Sequence, residues 1–394
     1  MGESNSEGRN NIKICALTTI SKTMDWFIVD NMRNLSAHGY DVTLICNMDD
    51  GFAARNSDYA RCINLNMSRG ADLFGLFLNT FRLWKIFRAE KFDLLYYTSP
   101  NVSMYAASAG KLAGVKTRVY SQCGLRYVSF AGLRRMIFKF IEKLTCGFST
   151  HVRAQSPKNM QFAITEKLCR AHKISVVGIG GTTGVDLKEC DKFDHKETRV
   201  RLRRSYGVPA NAFVYGYVGR VNADKGINEL ITAFHAIQRE IPNACLILVG
   251  MIDDTNPVDA ATMASAKTNE QIVFTGNVPP DQVYQHMAMF DVLTHPTYRE
   301  GFGKALQEAM GMRLPIITTN VPGPSEVVED GISGILAEVK NPDDLAEKMK
   351  IIYTDKALRD RLAYAGRRRA EQYFDRPTML GNLLTDLNQI MGIE

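Results

Sequence analysis

The chain has 394 residues, of which 45% are hydrophobic and 23% are charged. This length is too great for one core of ordinary size, so two domains are expected. The composition is ordinary for a soluble globular protein. No uninterrupted apolar run reaches the ~18–20 residues that a membrane-spanning helix needs. Any contact with a membrane is therefore expected to be peripheral.

The net charge of +6 hides a difference between the two halves of the chain. Residues 1–185 contain 24 Lys and Arg against 13 Asp and Glu, whereas residues 186–394 contain 24 against 29. A basic half suits an anionic partner such as nucleic acid, a phospholipid surface or a phosphorylated substrate, and solvated surface charge is the alternative. No aromatic-basic motif of a known nucleic-acid-binding module is present, so nucleic acid is the least favoured partner.

The eight cysteines are scattered and include no C-x-x-C pair. This spacing is typical of reduced thiols in a cytosolic protein, with neither disulfides nor zinc. Residues 1–11 are polar and lack the apolar centre of a signal peptide. They are expected to form a disordered lead-in.

The first half begins with a predicted βαβ unit. An apolar strand at 12–17 leads into a loop at 18–23, a helix from about 24 to 38 and a second strand at 40–46. Such a unit favours a parallel sheet. Ligands of parallel sheets bind at the carboxyl ends of the strands, so the first loop, with Thr19, is a candidate wall of a binding site.

Two predicted helices of the first half carry unusually many apolar residues. The helix at 72–91 has only a narrow polar strip, which favours a position wedged between the sheet and a neighbour, with membrane contact as the alternative. The helix at 133–144 has an apolar stripe at steps of three and four, predicted to face the core. Its basic remainder, with Phe138 and the preceding Phe130, suits a monotopic protein resting on anionic lipid, and both interpretations stay open. The stripe consists of Leu133, Met136, Ile137, Phe140, Ile141 and Leu144.

The second half repeats the alternation of strands and helices. A glycine-rich bend at 178–184 and the change in charge place the junction near 185–205. The predicted fold is α/β, with two tandem Rossmann-like doubly wound domains. The expected divisions are residues 12–190, residues 191–374 and a C-terminal helix at 375–394 that packs back on the first domain. Later strands are predicted at 213–218, 244–250, 272–276, 289–294, 315–319 and 335–337.

The most informative stretch runs from His295 to Glu308. Glycines flank Phe302 after a predicted strand, and a helix is predicted from Lys304. The unpaired N–H groups at a helix start carry partial positive charge and can hold an anion. Glu300 and Glu308 bracket this turn. An anion cradle between carboxylates suits a ligand with central phosphates and hydroxyl-rich ends, such as a nucleotide sugar. His295 is expected to be structural, at the end of the strand below the site.

A second loop supplies cations. Gly219-Arg220 and Lys225-Gly226 follow the predicted strand at 213–218. Arginine can bridge two phosphate oxygens, and lysine adds a mobile point charge. A basic loop alone is weak evidence, since it can be solvated surface. Together with Glu300 and Glu308 on a neighbouring strand, it becomes specific.

These motifs resemble the retaining glycosyltransferases of GT-B fold known as family 4. The resemblance rests on Gly219-Arg220 with Lys225-Gly226, on the E-x7-E pair Glu300 and Glu308, and on the segment from Pro322 to Gly334. Gly184-Val185-Asp186 matches the entry to the family's second domain. The resemblance extends over nearly the whole chain from residue 12, and it implies two domains that face each other across a cleft.

The resemblance implies a role for each motif residue. Glu300 would contact the donor sugar and steady its developing positive charge, and Glu308 would accept hydrogen bonds from the ribose hydroxyls. Arg220 and Lys225 would bind the diphosphate and stabilise it as it leaves. No metal or other cofactor is then needed, and the donor, a UDP-sugar, is a substrate. The remaining nucleotide-sugar contacts would come from Gly219, Gly301, Phe302, Gly303, Lys304 and Ala305.

The chain departs from the family pattern in its first half. Many relatives have a glycine-rich loop after the first strand, where this chain has 18–23, and His-Gly where it has Cys123-Gly124. Cysteine is a weaker hydrogen-bonding partner than histidine and is not a cation there. The resemblance still makes Thr19, Cys123, Gly124 and Arg126 the expected wall for the acceptor or donor sugar. Gln122 or Arg126 could compensate for the missing histidine.

The sequence thus predicts a hexosyltransferase that moves a hexose or N-acetylhexosamine from a UDP-sugar to an acceptor hydroxyl. The first domain would bind the acceptor and the second the nucleotide sugar. The basic first half suits a lipid-diphosphate-linked acceptor, such as an undecaprenyl-diphosphate-linked sugar, or a saccharide, at the inner face of a bacterial cell membrane. Two alternatives remain: a nucleotide-sugar epimerase on the same scaffold, and a non-catalytic nucleotide-sugar-binding subunit.

Overall fold

The structure, a computed structural model, describes residues 12–67 and 73–393. The chain forms two compact units. The first runs up to Thr183 and includes the chain from Met379 onward, and the second is Gly184–Thr378. The division falls a few residues before the expected boundary at 190/191. The predicted lead-in at 1–11 lies outside the described residues.

Among its described residues, the first unit contains seven strands and eight α-helices. Its strands are β1 (Lys13–Ile20), β2 (Asp41–Asn47), β3 (Ala60–Asn64), β4 (Leu94–Tyr97), β5 (Thr117–Gln122), β6 (His151–Ala154) and β7 (Ile174–Val176). Its helices are α1 (Ser21–Phe27), α2 (Val29–Ala37), α3 (Phe52–Asn56), α4 (Leu73–Glu90), α5 (Pro100–Ala113), α6 (Gly132–Phe148) and α7 (Pro157–Thr165), with α17 (Arg376–Met391) from Met379 onward.

The sheet of the first unit is parallel, with the order β3-β2-β1-β4-β5-β6-β7. Successive residues of β1 are buried on opposite faces: Cys15 and Leu17 pack with α4–α7, and Ile14 and Ala16 pack with α1, α2 and α17. Burial on both faces explains why these strands are continuous apolar runs. Leu383 of α17 belongs to the second of these clusters.

The start of the chain differs from the prediction. The region 18–23 is not a loop, because β1 continues to Ile20 and α1 begins at Ser21. Thr18 and Thr19 are β-branched and buried, which suits a strand. The single helix predicted at 24–38 is two helices, interrupted at Ile28, whose backbone angles are not helical.

The stripe on α6 is not core, contrary to the prediction. Leu133 is 72% exposed, Met136 67% and Phe140 60%. The buried residues of α6 are instead Glu142, Thr145 and Cys146. The helix therefore directs its apolar stripe outward and a carboxyl group inward.

Helix α4 also has more large apolar residues than it buries in the core. Leu83 and Phe87 are buried, but Phe77 is 75% exposed and Phe81 is 50% exposed. The prediction that α4 is wedged between the sheet and a neighbour is therefore wrong for this face. Helix α5 packs against both α4 and α6, so the three helices form one layer with outward apolar residues.

The second unit contains six strands and nine α-helices among its described residues. Its strands are β8 (Phe213–Val218), β9 (Ala244–Val249), β10 (Ile272–Gly276), β11 (Val292–His295), β12 (Ile316–Thr319) and β13 (Ile335–Ala337). Its helices are α8 (Leu187–Cys190), α9 (His195–Ser205), α10 (Ile227–Ile237), α11 (Ala260–Lys267), α12 (Val283–Met287), α13 (Lys304–Gly311), α14 (Pro324–Val327), α15 (Pro342–Thr354) and α16 (Lys356–Arg369).

The second sheet repeats the first in its connections. Its order is β10-β9-β8-β11-β12-β13, and all of its strand pairs are parallel. The chain runs outward in one direction from β8 to β10 and in the other from β11 to β13. The gap between β8 and β11 is therefore the topological switch point, where ligands of doubly wound sheets bind. Each unit is thus a doubly wound α/β domain, as predicted.

Among the described residues, no helix is both long and apolar enough to span a bilayer.

Outward placement of the α6 stripe has a measurable consequence for stability. We expect the triple variant Leu133→Gln, Met136→Gln, Phe140→Gln to unfold at nearly the wild-type temperature, because these side chains lose little burial. In contrast, Leu83→Ala, at a fully buried position, should lower the free energy of unfolding by about 2–5 kcal/mol. Thermal and urea unfolding of both variants checks this. A triple variant as unstable as Leu83→Ala would show that the stripe is core.

Candidate active site

Two loops meet at the topological switch point of the second unit. The first follows β8 and contains Arg220 and Lys225, and the second follows β11 and contains Glu300. Strands β8 and β11 are neighbours, so their carboxyl ends meet at one edge. The sheet order thus brings together side chains that are 75 positions apart in the chain.

Lys225 and Glu300 form an ion pair through Nζ and Oε2. Their side chains are 14% and 24% exposed, so water screens the pair only partly. Burial raises the pKa of the Glu300 carboxyl, but Lys225 and His295 together outweigh the effect of burial, and the pKa lies well below its ordinary value. Glu300 is therefore a carboxylate at neutral pH.

His295 lies beneath this pair. Its Nε2 is 3.7 Å from Glu300 Oε2, and its ring stacks on Tyr217 with centroids 5.3 Å apart. Burial lowers the pKa of the imidazole, against the opposing effect of Glu300. A neutral, buried ring at the end of β11 is well suited to supporting the Glu300 loop.

Arg220 has a separate partner, Asp253, which sequence reasoning missed. Arg220 Nη1 contacts Asp253 Oδ2, and Asn222 Nδ2 donates to the same oxygen over 2.9 Å. Burial opposes ionisation of Asp253, but hydrogen bonds from Thr255 and Asn222 and the charge of Arg220 lower its pKa to about 2. Arg220 is 56% exposed, and a guanidinium has five N–H donors, so the Asp253 contact leaves donors for a ligand. Asp253 follows β9, and its place after a strand end was the available signal.

The turn before α13 has the predicted form. Gly303 adopts φ 89°, a conformation that favours glycine, and stands immediately before the helix. No side chain caps this helix start, so backbone N–H groups of its first turn have no partner within the helix. The Phe302 ring is buried against Phe374 at 5.8 Å, so this residue can offer a ligand only its backbone. Ala305 lies in the first turn.

Glu308 lies in α13, and Lys304 Nζ is 3.8 Å from its Oε1. Burial raises the pKa of the Glu308 carboxyl, although Lys304 and Arg376 oppose the shift. A second neighbour is the half-buried phenol of Tyr284, whose pKa is raised by partial burial and by the charge of Glu308. Tyr284 was not identified from sequence, because no spacing marks it.

The predicted wall residues of the first unit lie at the corresponding sheet edge. Thr19 is near the end of β1, and Cys123 directly follows β5. Thr98, after β4, donates a hydrogen bond to Cys123 Sγ over 3.0 Å. Gly124 is exposed and has φ 158°, next to the exposed Cys123. The Arg126 side chain lies outside the described residues.

Gln122 cannot compensate for the missing histidine, contrary to the expectation. It is only 3% exposed, and its Nε2 donates to Glu142 Oε1 over 2.7 Å. The Tyr120 hydroxyl donates to the same carboxylate oxygen over 2.9 Å. Burial raises the pKa of Glu142 to about 6, against these two hydrogen bonds. The Gln122 amide is therefore used to fasten α6 to β5.

The arrangement in the second unit can bind an anion and stabilise charge. Lys225, Arg220 and the start of α13 provide donors at the switch point, and Glu300 provides a fixed negative charge beside them. Donors that are already oriented need no rearrangement when charge develops in a reaction. Within residues 12–67 and 73–393, no group of three His, Cys, Asp or Glu is placed to hold a metal ion.

Two family models match most of the chain. The model described as glycosyl transferases group 1 matches residues 198–369, which include Arg220, Lys225, Glu300 and Glu308. The model described as glycosyl transferase 4-like matches residues 13–156 in the first unit.

Individual relatives are similar over most of the chain. A Staphylococcus aureus capsular polysaccharide biosynthesis glycosyltransferase, CapM, is 29% identical over 92% of this chain and 93% of its own. An Escherichia coli UDP-Gal:α-D-GlcNAc-diphosphoundecaprenol α-1,3-galactosyltransferase is 24% identical over 81% of both chains.

A solved structure shares the fold. The crystal structure of Anabaena Alr3699/HepE in complex with UDP-glucose has a TM-score of 0.79 at 20% identity, with 96% of this chain and all of that chain covered. Together with the two sheets and the family matches, this establishes that the chain is a glycosyltransferase of GT-B fold and belongs to the family 4-like group.

Proposed function

We propose that the protein is a retaining hexosyltransferase that uses a UDP-sugar donor. It transfers a hexose or an N-acetylhexosamine to an acceptor hydroxyl. The observation that carries this proposal is the Lys225–Glu300 ion pair at the switch point, with Arg220 and the start of α13 at the same sheet edge. These groups supply the positive charge that stabilises a departing diphosphate and the negative charge that stabilises a sugar as it becomes positive.

In the proposed reaction, the bond between C1 of the sugar and the β-phosphate oxygen breaks. The acceptor oxygen bonds to C1 on the same face, and its proton passes to the departing phosphate oxygen. Arg220 and Lys225 stabilise the diphosphate, while the Glu300 carboxylate stabilises positive charge on the sugar. The Lys225 ammonium has three N–H donors, so it can contact Glu300 and a phosphate together. Because these cations face the leaving group, the proposed transfer uses no metal or other cofactor.

Glu308 is proposed to bind the ribose hydroxyls, with Tyr284 as its neighbour. The backbone from Gly301 to Ala305, together with Gly219, would add contacts to the nucleotide sugar. Thr19, Cys123 and Gly124 are proposed to line the acceptor or donor-sugar wall, which the first unit would supply. Arg126 belongs to the same proposal on sequence grounds alone.

The proposed acceptor is a sugar on a lipid diphosphate, in polysaccharide or lipid-linked oligosaccharide synthesis. The names of two relatives support this: one acts in capsular polysaccharide biosynthesis, and the other acts on a diphosphoundecaprenol-linked sugar. The HepE structure, which holds UDP-glucose, supports the nucleotide.

The outward face of α4 and α6 supports a place on the cytoplasmic surface of the cell membrane. Exposed Phe77, Leu133 and Phe140 offer apolar contact, while Arg134 and Lys143 lie exposed on α6. Lys139 is not included among these cations, because its ammonium pairs with the Glu166 carboxylate at 2.7 Å. Apolar residues next to cations fit the boundary between acyl chains and anionic headgroups. We propose an anionic bilayer as the partner of this face.

Two alternatives give different results in one assay. UDP-glucose, UDP-galactose, UDP-N-acetylglucosamine, GDP-mannose and ADP-glucose are first scored for protection against thermal unfolding. Turnover is then measured with and without undecaprenyl-diphosphate-N-acetylglucosamine. An epimerase converts a UDP-sugar without this acceptor, whereas a binding subunit is protected by a UDP-sugar and catalyses nothing. A retaining transferase releases UDP with the acceptor and keeps the donor's anomeric configuration in the product, as read by NMR.

Removal of either member of the central pair should abolish most of the activity. We expect Glu300→Gln and Lys225→Ala each to lower kcat about 10²- to 10³-fold, because each removes a charge already oriented toward the reacting centre. UDP release with the active donor and acceptor is the measurement.

The matched control is Lys350→Ala, which breaks an exposed pair with Glu240 on the same unit. It should leave kcat unchanged, since exposed ion pairs contribute little. Wild-type turnover in both Glu300→Gln and Lys225→Ala would contradict the proposed roles of these residues.

Vesicle binding tests the membrane surface. The triple variant Leu133→Gln, Met136→Gln, Phe140→Gln should sediment less with vesicles that contain phosphatidylglycerol, because it loses apolar contact. Binding of the wild-type protein should weaken as salt rises and should be weaker with phosphatidylcholine alone, because cations on the face attract anionic lipid. Equal sedimentation of the wild-type protein and the variant would exclude this face as the membrane contact.

A further inference from the structure

Two adjacent residues on one site loop form ion pairs with two adjacent residues on the other site loop. Asp224 and Lys225 are consecutive in the loop after β8, and Arg299 and Glu300 are consecutive in the loop after β11. Asp224 pairs with Arg299, and Lys225 pairs with Glu300. Four charges of alternating sign are thus brought together, and each of these two ion pairs joins one loop to the other.

The backbone already holds these loops in contact. The Tyr298 N–H donates to the Asp224 carbonyl oxygen over 2.9 Å. Gly226 has φ 70°, and a Cβ atom there would come within 1.9 Å of the Pro296 carbonyl oxygen. The loops are therefore close whether or not Asp224 and Arg299 form their ion pair. This Asp224–Arg299 pair, the outer pair, is not needed to bring the loops together.

The outer pair instead decides which charges meet. Arg299 and Asp224 are 39% and 26% exposed, compared with 14% for Lys225 and 24% for Glu300, so the two pairs differ mainly in the exposure of their cations. An ion pair as exposed as the outer one adds little to stability. However, an unpaired Arg299 would lie next to Glu300 and compete with Lys225 for its carboxylate. An unpaired Asp224 would likewise compete with a phosphate for Lys225.

We infer that Asp224 and Arg299 are positioning residues that neutralise each other and so reserve Lys225 and Glu300 for the diphosphate and the sugar. This inference rests on the proposed roles of Lys225 and Glu300. Neither positioning residue is assigned a contact with the substrate. Each acts by withholding a competing charge from one member of the central pair.

The two single variants should then fail in different ways. In Asp224→Asn, the released Arg299 engages Glu300, so kcat should fall about 10- to 100-fold with UDP affinity nearly unchanged. In Arg299→Gln, the released Asp224 engages Lys225, so the Kd for UDP alone should rise about fivefold. Isothermal calorimetry with UDP and turnover with the active donor and acceptor measure the two effects separately.

The double variant Asp224→Asn, Arg299→Gln distinguishes a positioning role from a purely structural one. With both competing charges removed, kcat should recover above that of Asp224→Asn, and the Kd for UDP should return toward the wild-type value. A pair that only maintains structure would give a double variant no better than the worse single variant, and that result overturns the inference. Equal loss of kcat and UDP affinity in both single variants overturns it as well.

Controls separate this inference from the proposed function and from misfolding. Glu240→Gln, in an exposed pair of the same unit, should match the wild-type protein, and all variants should melt within about 4 °C of it. If Lys225→Ala and Glu300→Gln lose activity while both positioning variants keep wild-type kcat and UDP affinity, the inference alone is wrong. If Lys225→Ala and Glu300→Gln keep full activity, the proposed roles fail and the inference fails with them.

Discussion

The ion pair between Lys225 and Glu300 is the interaction on which the candidate site depends. Water reaches the pair only in part, and the Lys225 ammonium helps to hold the pKa of the Glu300 carboxyl well below its ordinary value. Ionised groups in fixed positions are what electrostatic catalysis needs. His295 below the pair is neutral and stacked on Tyr217, so it supports the Glu300 loop without adding another charge.

Topology explains why this pair exists. In a doubly wound sheet the first and fourth strands lie side by side, and the chain leaves their carboxyl ends in opposite directions. Loops after β8 and β11 can therefore approach closely, and the lack of a side chain at Gly226 lets them touch. The first unit has the same strand order, and it places Thr19, Thr98 and Cys123 at the equivalent edge. The thiol of Cys123 already accepts a hydrogen bond from Thr98.

Helix α6 exposes its apolar stripe and buries a glutamate, the reverse of the usual arrangement. An amphipathic helix normally buries its apolar stripe. Here the stripe is exposed, and the inward side carries Glu142, whose carboxylate is held by Tyr120 and Gln122. Burial of a carboxyl group is costly unless it is hydrogen-bonded, and these two donors meet that need. The outward stripe then offers apolar contact area to a partner such as the proposed bilayer.

The sequence by itself determined the two α/β domains, most of their strands and the residues of the two candidate site loops. Strands buried on both faces form apolar runs, and glycines mark the turns between strands and helices. Both features can be recognised from the amino-acid sequence. The resemblance through Arg220, Lys225, Glu300 and Glu308 depends on such local spacing. Strands β3 and β6 were missed, because each contains an arginine and neither forms a continuous apolar run.

Only the tertiary structure decided which face of α6 is buried, since periodicity defines a stripe but not what covers it. It also decided the partners of the site residues. Asp253 meets Arg220 because β9 adjoins β8, and Asp224 meets Arg299 because β11 adjoins β8. Gln122 turned inward for a similar reason, since its partner Glu142 lies 20 residues later on α6. Contacts of this kind depend on distances in space between residues that are far apart in the chain, and no local pattern encodes them.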